Sequence, residues 1–587
     1  MPYTRESVGV RAWDVLVMGA GIAGLRCALA AARAGLAVAV LSKTHAVRAP
    51  SVSTVDGVPA VFDDSAGGAD SQWQHWMDAL KGADWLADQD AAGVLCSQAP
   101  REVVALEHMG APFARTPEGT LAQSLLPGHS GAARTCTAGA RSGQALLHTL
   151  WQQCLAVGVE FLGEWMALDV VFSHEGAAAG LVALEIETGN VHVLRAAAVV
   201  LAAGGGGRVF GDAAAAAYEA TGDALGMAAC AGMALQDMEF WTFTPTAIVG
   251  RGVLLPEACL GEGGVLRNAG GDAFMAHYAP AFKELAPADV AARAAAHELA
   301  AGRGGVALHL AHLGAVIAQH LPAVREVARL CASVDVMRDP VPVQPAACGA
   351  LGGIPANLYG QACVPVAGES AALAPVPGLY AVGGCACSGA LGAGALGGHA
   401  LLDALVFGSA AGAHIAANVH SGALPLLPAD APDMALERLE RLEAPGGNDA
   451  ETAPQLMDAI AAVMQECAGV LRTAACMEQG AHRLRAVRER VQALRLPDAS
   501  RPFNLARVQA LEVHNLIEVA QAALDAAAAR TESRGVHTVL GEGGVPLPRD
   551  DAHWQRHSLW RRGGALAYVP VRPPQSGHAV PAHERHY

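Results

Sequence analysis

The N-terminal segment has an apolar and glycine pattern that predicts strand, turn, helix and strand in that order. Residues 13–45 read WDVLVMGAGIAGLRCALAAARAGLAVAVLSKTH. The apolar run Val15 to Met18 predicts a buried strand, and the alanine-rich stretch after it predicts a helix that ends near Gly35. A second apolar run, Ala37 to Leu41, predicts the next strand.

Two later segments continue the same kind of sheet. Residues 196–210, AAAVVLAAGGGGRVF, form a strand-like run that ends in four glycines. Glycines at the carboxyl end of an apolar strand are where a parallel α/β sheet admits a ligand, so Gly204 and Gly205 are candidate cofactor contacts. Residues 378–416 again read strand, glycine-rich loop and helix. The predicted fold class is therefore α/β, with a Rossmann-like domain built from two separated segments.

The chain of 587 residues is too long for a single core. We predict a cofactor-binding domain over residues 1–243 and 354–416, and an inserted α+β capping domain over 244–353. A helical domain over 417–535 and a small irregular C-terminal region over 536–587 complete the chain.

Composition and charge restrict the class of protein. Hydrophobic residues make up 52% of the chain and charged residues 16%, and the longest apolar run, residues 196–203, is far too short to span a bilayer. No transmembrane segment or secretory signal is predicted, so a cytoplasmic location is expected. The net charge of −16 argues against a nucleic-acid partner. The 13 scattered cysteines contain no Cys-x-x-Cys pair, so we expect mostly buried free thiols and predict no metal ligands.

The glycine turn after the first strand has the spacing of a dinucleotide-binding fingerprint. Gly19 permits the tight turn, Gly21 lets a pyrophosphate approach the backbone, and Gly24 allows close packing of helix and strand. The helix N-terminus supplies free N–H groups for the phosphates. The predicted cofactor contacts here are Gly19, Ala20, Gly21, Ile22, Ala23 and Gly24.

The residues at the end of the second strand favour FAD over NAD. NAD sites normally have a carboxylate there for the adenosine ribose, whereas this chain has Ser42 and Lys43. Both are predicted cofactor contacts. Asp223, in the segment TGDALGMAACAGM, is either a first-turn residue that stabilises a helix or a ligand for a cofactor hydroxyl.

Ordered motifs over nearly the whole chain carry a family resemblance. They include GAGIAGLRCAL, DALKGADWLADQDA, TGDALGMAACAGMALQDMEFW, GEGGVLRN, GGHALLDALVFG and RTESRGVH. The chain resembles the flavoprotein subunit of succinate dehydrogenase and fumarate reductase. The resemblance implies FAD, an iron–sulfur partner subunit and membrane anchor subunits, with peripheral association at the cytoplasmic face of the inner membrane. We also predict Gly57 and Leu401 as cofactor contacts.

The chain departs from the family pattern where the family bonds its flavin covalently. Alignment of the stretch LSKTHAVRAPSVSTVDG puts Pro50 at the position of the flavin-linking histidine. Proline has no nucleophile, and His45 lies five residues upstream. The expected cofactor is therefore non-covalent FAD. Two further flavin contacts of the family are replaced, by Gly384 and Ala400.

The catalytic positions of the family are also changed. Two histidines align with Thr244 and Cys348, and two arginines align with Ala288 and Ala395. Glu257 is the retained residue of the family's active site. Arginine is the natural clamp for a carboxylate, so these replacements predict little or no succinate turnover.

Three hypotheses about function remain open. The first is a flavoprotein that acts on a different, less anionic substrate, with Glu257 as base, Cys348 as a weak donor and Arg251 as a replacement cation. The second is a non-catalytic structural or regulatory paralogue. The third is an electron-transfer subunit without the usual dicarboxylate site.

Overall fold

The protein is described from a computed structural model that covers residues 5–62, 70–139, 141–366, 372–444, 451–574 and 579–587. The strands in these ranges are β1 Gly9–Met18, β2 Val38–Ser42, β3 Val58–Pro59, β4 Gln123–Leu125, β5 Ala133–Cys136, β6 Glu160–Gly163, β7 Trp165–Phe172, β8 Ala178–Glu185, β9 Val191–Leu201, β10 Leu235–Gln236, β11 Trp241–Ile248, β12 Val265–Asn268, β13 Val306–His309, β14 Val341–Ala350, β15 Ile354–Pro355, β16 Gln361–Pro365, β17 Leu373–Ala381, β18 Ala386–Cys387, β19 Leu471–Arg472, β20 Thr538–Val539, β21 Arg556–Trp560 and β22 Ala567–Pro570.

The α-helices in the same ranges are α1 Ile22–Arg33, α2 Gln72–Gly82, α3 Gln89–His108, α4 Ser142–Ala156, α5 Asp223–Cys230, α6 Ala258–Gly261, α7 Met275–Tyr278, α8 Ala288–Ala300, α9 Ala315–His320, α10 Pro322–Ala332, α11 His399–Asn418, α12 Asp433–Glu443, α13 Ala453–Cys467, α14 Ala474–Gln492, α15 Leu505–Ala529 and α16 Asp551–Trp554.

A largely parallel sheet forms the centre of the molecule, with the strand order β16-β17-β9-β1-β2-β6. Val15 of β1 lies opposite Val38 of β2 on one side and Ala198 of β9 on the other. Strand β17 then pairs in parallel with the end of β9, Leu379 opposite Val199. A central parallel strand is covered on both faces, which explains the continuous apolar runs. The two-segment sheet expected from the sequence is confirmed.

Helix α1 returns the chain between β1 and β2, as the apolar pattern predicts. It ends at Arg33, and Gly35 follows with a left-handed φ of +89°, a common way to stop a helix. On the same side of the sheet, α11 packs against α1. Gly408 and Gly412 of α11 permit this approach, because a Cβ at either position would lie within 2.7 Å of α1 backbone atoms.

Helix α11 is also long and apolar enough to cross a membrane, and no other helix in the described ranges meets that test. Its composition has a simpler cause, because its buried side chains belong to the core that it shares with α1 and α3. One such helix is weak evidence for a membrane span.

A second, antiparallel sheet lies between the two segments of the first. Its strand order is β11-β14-β13-β12, and α6 to α10 accompany it. It has a core of its own, with Ile248, Leu266, Leu308 and Val343 among the buried side chains. This is the inserted α+β domain that the sequence predicts. The exact domain boundaries stay a prediction.

Helices α13, α14 and α15 pack on one another, and α15 also packs against α5 of the first domain. Val519 of α15 reaches the glycine turns of the first domain, because a Cβ added to Gly206 would lie 2.8 Å from its Cγ1. The C-terminal region adds β21 and β22 to β10, with Leu235 opposite Trp560.

Eleven cysteines in the described ranges are free, as expected, and most of them are buried. The expectation is wrong for Cys467 and Cys476, which form a disulfide. The end of α13 and the start of α14 bring their Cα atoms to 5.1 Å, a proximity that follows from helix packing and that no Cys-x-x-Cys spacing could reveal.

Candidate functional site

A cavity opens at the carboxyl ends of β1, β2, β9 and β17. Its walls are the strand ends and the turns that follow them, residues 18–23, 41–44, 202–204 and 383–384, together with Asp223 and Glu219. In open parallel sheets this edge is where ligands bind. The position at the strand ends and the turns that line the cavity suit a dinucleotide.

The glycines of the first turn are required by close backbone approaches. Gly19 has φ of +111°, and a Cβ there would lie 2.3 Å from the carbonyl oxygen of Ala202. A Cβ on Gly24 would lie 2.2 Å from the carbonyl oxygen of Gly19, so Gly24 sets the contact between α1 and β1. Gly21 is different: its Cβ would meet only Ser51 Oγ, at 3.2 Å, so the space beyond it is open to a ligand.

The N-terminus of α1 faces this cavity without a capping side chain at its N-cap residue, Gly21. Ser51 Oγ accepts the Ile22 N–H at 3.2 Å. The other N–H groups of the first turn and the positive end of the helix dipole remain for an anionic group. The cradle therefore fits the pyrophosphate of a dinucleotide.

Lys43 joins this cavity to the helical domain. Its ammonium lies 2.7 Å from Asp223 Oδ2 and 2.5 Å from Glu512 Oε1, and it donates to Thr221 Oγ1 at 2.8 Å. Burial opposes its charge, but the two carboxylates raise the pKa of Lys43 above its usual value. Burial raises the pKa of Glu512, and Asp223 adds to the effect because two carboxylates share one ammonium.

Asp223 is held from several sides. Besides Lys43, Asn515 donates to its Oδ1 at 3.0 Å and Thr221 donates to the same atom at 3.1 Å. It is also the first residue of α5. Both interpretations of Asp223 are thus compatible with its position, because it begins a helix and lines the cavity.

A second cavity of about 380 Å³ adjoins the first, and the two share Pro50, Ser51, Gly383 and Gly384 in their walls. It lies between the turns of the first domain and the inserted domain. Five of the positions at which the chain departs from the family pattern line it: Pro50, Thr244, Ala288, Cys348 and Ala395. Glu257 lines it as well, although these residues lie up to 345 positions apart along the chain.

The charged groups of the second cavity are all acidic. Asp56, Glu257 and Asp403 line it, and no Lys, Arg or His occurs among its described lining residues. Burial, with the neighbouring Asp56, raises the pKa of Glu257 to about 8. Burial also raises the pKa of Asp56 to about 6, although a hydrogen bond from the backbone N–H of Glu257 acts in the opposite direction. Two buried carboxyl groups side by side cannot both ionise cheaply, so Glu257 keeps its proton at neutral pH.

Asp403 is the third acid. Ser388 Oγ donates to its Oδ1 at 2.6 Å, but burial still raises the pKa of Asp403 to about 7. The cavity therefore contains groups that can exchange protons near neutral pH, and its described lining residues include no fixed positive side chain.

Comparison with known proteins agrees with this architecture. The family profile described as FAD binding domain matches residues 14–401, and the profile described as fumarate reductase flavoprotein C-term matches residues 457–587. The succinate dehydrogenase flavoprotein subunit of Coxiella burnetii is 40% identical over 97% of this chain and 98% of its own length. The chain belongs to the succinate dehydrogenase and fumarate reductase flavoprotein family.

Solved structures of the family have the same fold. A variant of E. coli quinol fumarate reductase FrdA aligns with a TM-score of 0.89 at 32% identity, over 98% of this chain and 99% of that chain. The Mycobacterium smegmatis Sdh1 complex in the apo form aligns with a TM-score of 0.81 at 29% identity, over 97% and 96% of the two chains. FAD is accordingly the cofactor of this family member.

Most of the predicted cofactor contacts meet in the two cavities. Gly19, Ala20, Gly21, Ile22, Ala23, Ser42, Lys43, Gly204 and Asp223 line the first, and Gly205 and Leu401 line the second. Gly24 and Gly57 line neither cavity. Gly57 supports the wall from behind, since a Cβ on the lining residue Gly398 would lie 2.5 Å from its carbonyl oxygen. The individual roles of these residues stay predictions.

The stretch that carries Pro50 forms two short 3-10 helices, Ala46–Arg48 and Pro50–Ser53. His45 precedes them, is exposed, and packs its ring edge-on against Trp151 with centroids 5.9 Å apart. It lines neither cavity. Arg251, the candidate replacement cation, is also exposed and is absent from the cavity wall, so that hypothesis is wrong: the turn after β11 points it to solvent.

Sequence reasoning missed Asp56, Asp403, Ser51 and Glu512 in this region. Asp56 stands in the very stretch that follows the dinucleotide unit, and Asp403 lies within the motif GGHALLDALVFG, so motif reasoning could have found both. Glu512 is 469 residues from Lys43 and carried no local signal.

Proposed function

We propose that this family member binds FAD non-covalently and does not oxidise succinate efficiently. The observation that carries the proposal is the charge of the second cavity, which has three carboxyl groups and no cationic side chain among its described lining residues. A C4 dicarboxylate needs cations for two carboxylates, and bidentate arginine is the group best suited to that task. Here Ala288 and Ala395 stand where the family has arginines.

Size supports the same conclusion. Both alanines line the cavity together with Thr244 and Cys348, so four small, uncharged side chains occupy positions where larger cationic or imidazole groups are expected. Losing one charge-assisted clamp costs about 1.5–3 kcal/mol of binding. Losing a proton donor removes roughly 10²–10⁴-fold in rate.

Non-covalent binding is supported by the chain's own residues near the flavin cavity. Pro50 lines both cavities and offers no nucleophile, while His45 is exposed and packs on Trp151. The glycine turn, the remaining free N–H groups at the N-terminus of α1 and Lys43 with Asp223 would hold the cofactor. FAD, when bound, supplies a two-electron acceptor.

Among the open alternatives, an oxidoreductase with a different substrate is favoured over a non-catalytic subunit. The observation behind this preference is that the cavity keeps about 380 Å³ of space and acids with pKa values of about 7 and about 8 beside the flavin cavity. A general acid or base works best near the ambient pH. Glu257 and Asp403 are the groups that we assign to that task, on a substrate that lacks two carboxylates.

The partner subunits are inferred from the relatives of this chain. The relatives include an E. coli quinol fumarate reductase and an M. smegmatis Sdh1 complex, so we infer an iron–sulfur subunit and membrane anchor subunits for this chain too, with peripheral association at the inner membrane through them. Affinity purification of the tagged chain from its own cells, followed by membrane fractionation, tests this. Recovery of the chain alone in the soluble fraction would contradict it.

Two measurements on the purified holoprotein test the function. Acid precipitation should release all flavin into the supernatant, and flavin retained in the pellet would disprove the non-covalent assignment. Anaerobic succinate should leave the oxidised flavin band unchanged, while dithionite bleaches it and thereby proves that the flavin is reducible. Bleaching by succinate within the time of a catalytic turnover would overturn the proposal.

A further inference from the structure

Three buried histidines lie together behind the loop of Gly397 and Gly398, which lines the second cavity. They are His75 in α2, His129 between β4 and β5, and His399, the first residue of α11. At most 2% of each residue is exposed. Their ring centroids are 5.2 to 6.2 Å apart, and one nitrogen from each ring lies within 4.8 Å of the other two.

The hydrogen bonds leave lone pairs unused in this cluster. Gly397 O accepts a hydrogen bond from His129 Nε2 at 3.0 Å, which leaves His129 Nδ1 as the unprotonated nitrogen. That Nδ1 is buried and has no hydrogen-bond partner, and the same is true of His75 Nδ1. An unpaired buried polar atom costs about 1–3 kcal/mol, so the free lone pair of His129 Nδ1 inside the cluster requires an explanation.

His75 and His399 share a hydrogen bond between their Nε2 atoms, which are 3.1 Å apart. A bound ion would take the place of the shared proton, and the spacing is close to that of two ligands on one metal. Two imidazole nitrogens on a tetrahedral Zn²⁺, each about 2.0–2.1 Å from the ion, are about 3.3 Å apart. A histidine ligand also typically donates its second N–H to a backbone carbonyl, as His129 does to Gly397.

The surroundings permit a cation. All three imidazoles are buried, and a neutral imidazole offers one unprotonated nitrogen that can bind a cation. The positive group nearby is the fully buried Arg134, which pairs with Asp70 at 2.7 Å and with Asp78 at 2.9 Å. The two carboxylates compensate the charge of this guanidinium before an ion binds.

We propose that His75, His129 and His399 together bind one divalent transition-metal ion of the zinc type, through one imidazole nitrogen from each residue. Ring rotations close the remaining nitrogen–nitrogen distances, and the fourth coordination position is left for water. The ion would brace the loop of Gly397 and Gly398, which lines the second cavity, from behind. The proposal is independent of the function assigned to the cavity.

The test uses the full-length chain, stripped with a chelator and then given Zn²⁺ alone. Equilibrium dialysis with elemental analysis should find one tightly held Zn²⁺ per chain. His399→Gln and His129→Gln should each weaken binding at least about tenfold, because each removes one of three ligands. His414→Gln is the matched control: His414 lies on α11 as well and bonds Tyr380 OH at 2.9 Å, outside the cluster.

Absorption spectroscopy at the zinc edge on the wild-type protein needs no variant and therefore remains decisive if the buried substitutions prevent folding. A shell of imidazole nitrogens at about 2.0–2.1 Å supports the site. A sulfur shell would assign the ion to cysteine thiolates instead, such as Cys467 and Cys476 beside Glu466 after reduction of their disulfide, and would overturn the proposal. Failure of the wild-type protein to retain Zn²⁺ would also overturn the proposal. So would retention by both ligand variants equal to that of the wild type, because the chain has 23 histidines, and others among them could then bind the ion adventitiously.

Discussion

Gly21→Ala is the substitution that most directly tests how the cofactor is held. Gly21 has extended backbone angles, φ −72° and ψ 173°, which alanine adopts without strain. The added methyl would meet only Ser51 Oγ, at 3.2 Å, among protein atoms, so the fold should tolerate it. The methyl would instead enter the cavity at the N-terminus of α1, where the pyrophosphate approaches the backbone.

The expected loss is one or more hydrogen bonds from backbone N–H groups to a charged phosphate, about 1.5–3 kcal/mol. This corresponds to FAD binding about 10-fold to 150-fold weaker. Titration of FAD into the apoprotein, followed by flavin fluorescence, measures the affinity, and circular dichroism checks the fold.

Two further glycines complete the experiment. Gly93→Ala in α3 is the control, because its methyl would lie 3.8 Å from Trp76 Nε1 and would contact nothing closer, so FAD affinity should not change. Gly24→Ala should instead disrupt the fold, because its methyl would lie 2.2 Å from the carbonyl oxygen of Gly19. If folded Gly21→Ala binds FAD within a factor of about two of the wild type, the pyrophosphate does not lie on this turn and the reasoning is refuted.

Three other predictions follow from the charges. Burial and Asp56 raise the pKa of Glu257 to about 8, so the folded protein holds a proton that the unfolded chain loses above about pH 4.5. The free energy of unfolding therefore falls as the pH rises from about 5 to about 9, by a few kcal/mol at about 1.4 kcal/mol per pKa unit. Glu257→Gln should flatten the pH dependence of the melting temperature. Lys43→Met leaves the largely buried carboxylates of Asp223 and Glu512 without their shared ammonium and should cost about 3–5 kcal/mol in chemical denaturation. Arg325→Met, which breaks an exposed pair, should cost under about 1 kcal/mol, and equal losses would contradict the burial argument. Burial raises the pKa of Cys348 to about 12, so iodoacetamide at pH 8 should leave this thiol unmodified in a mass spectrum, and rapid labelling would show that it is a reactive thiolate.

Local pattern was enough for the part of the molecule where neighbours in sequence are neighbours in space. The run from Val15 through Gly24 to Leu41 specifies a strand, a glycine turn, a helix and a parallel strand, because apolar periodicity and glycine dihedrals act over a few residues. The family motifs then extended the prediction to the inserted domain and the helical domain. The same motifs, read from the sequence alone, located Glu257 and the positions of Pro50 and Ala395.

Tertiary structure alone decided which groups face one another and what charge they carry. Asp56 and Glu257 perturb each other's protonation only because the inserted domain folds over the flavin-domain turns. Lys43 contacts Glu512, which is 469 residues away along the chain. The cluster of His75 and His399, separated by 324 residues, likewise has no local signature. Sequence determined the scaffold because local forces shape it, whereas burial and long-range contacts, which exist only after packing, determine the chemistry of its cavities.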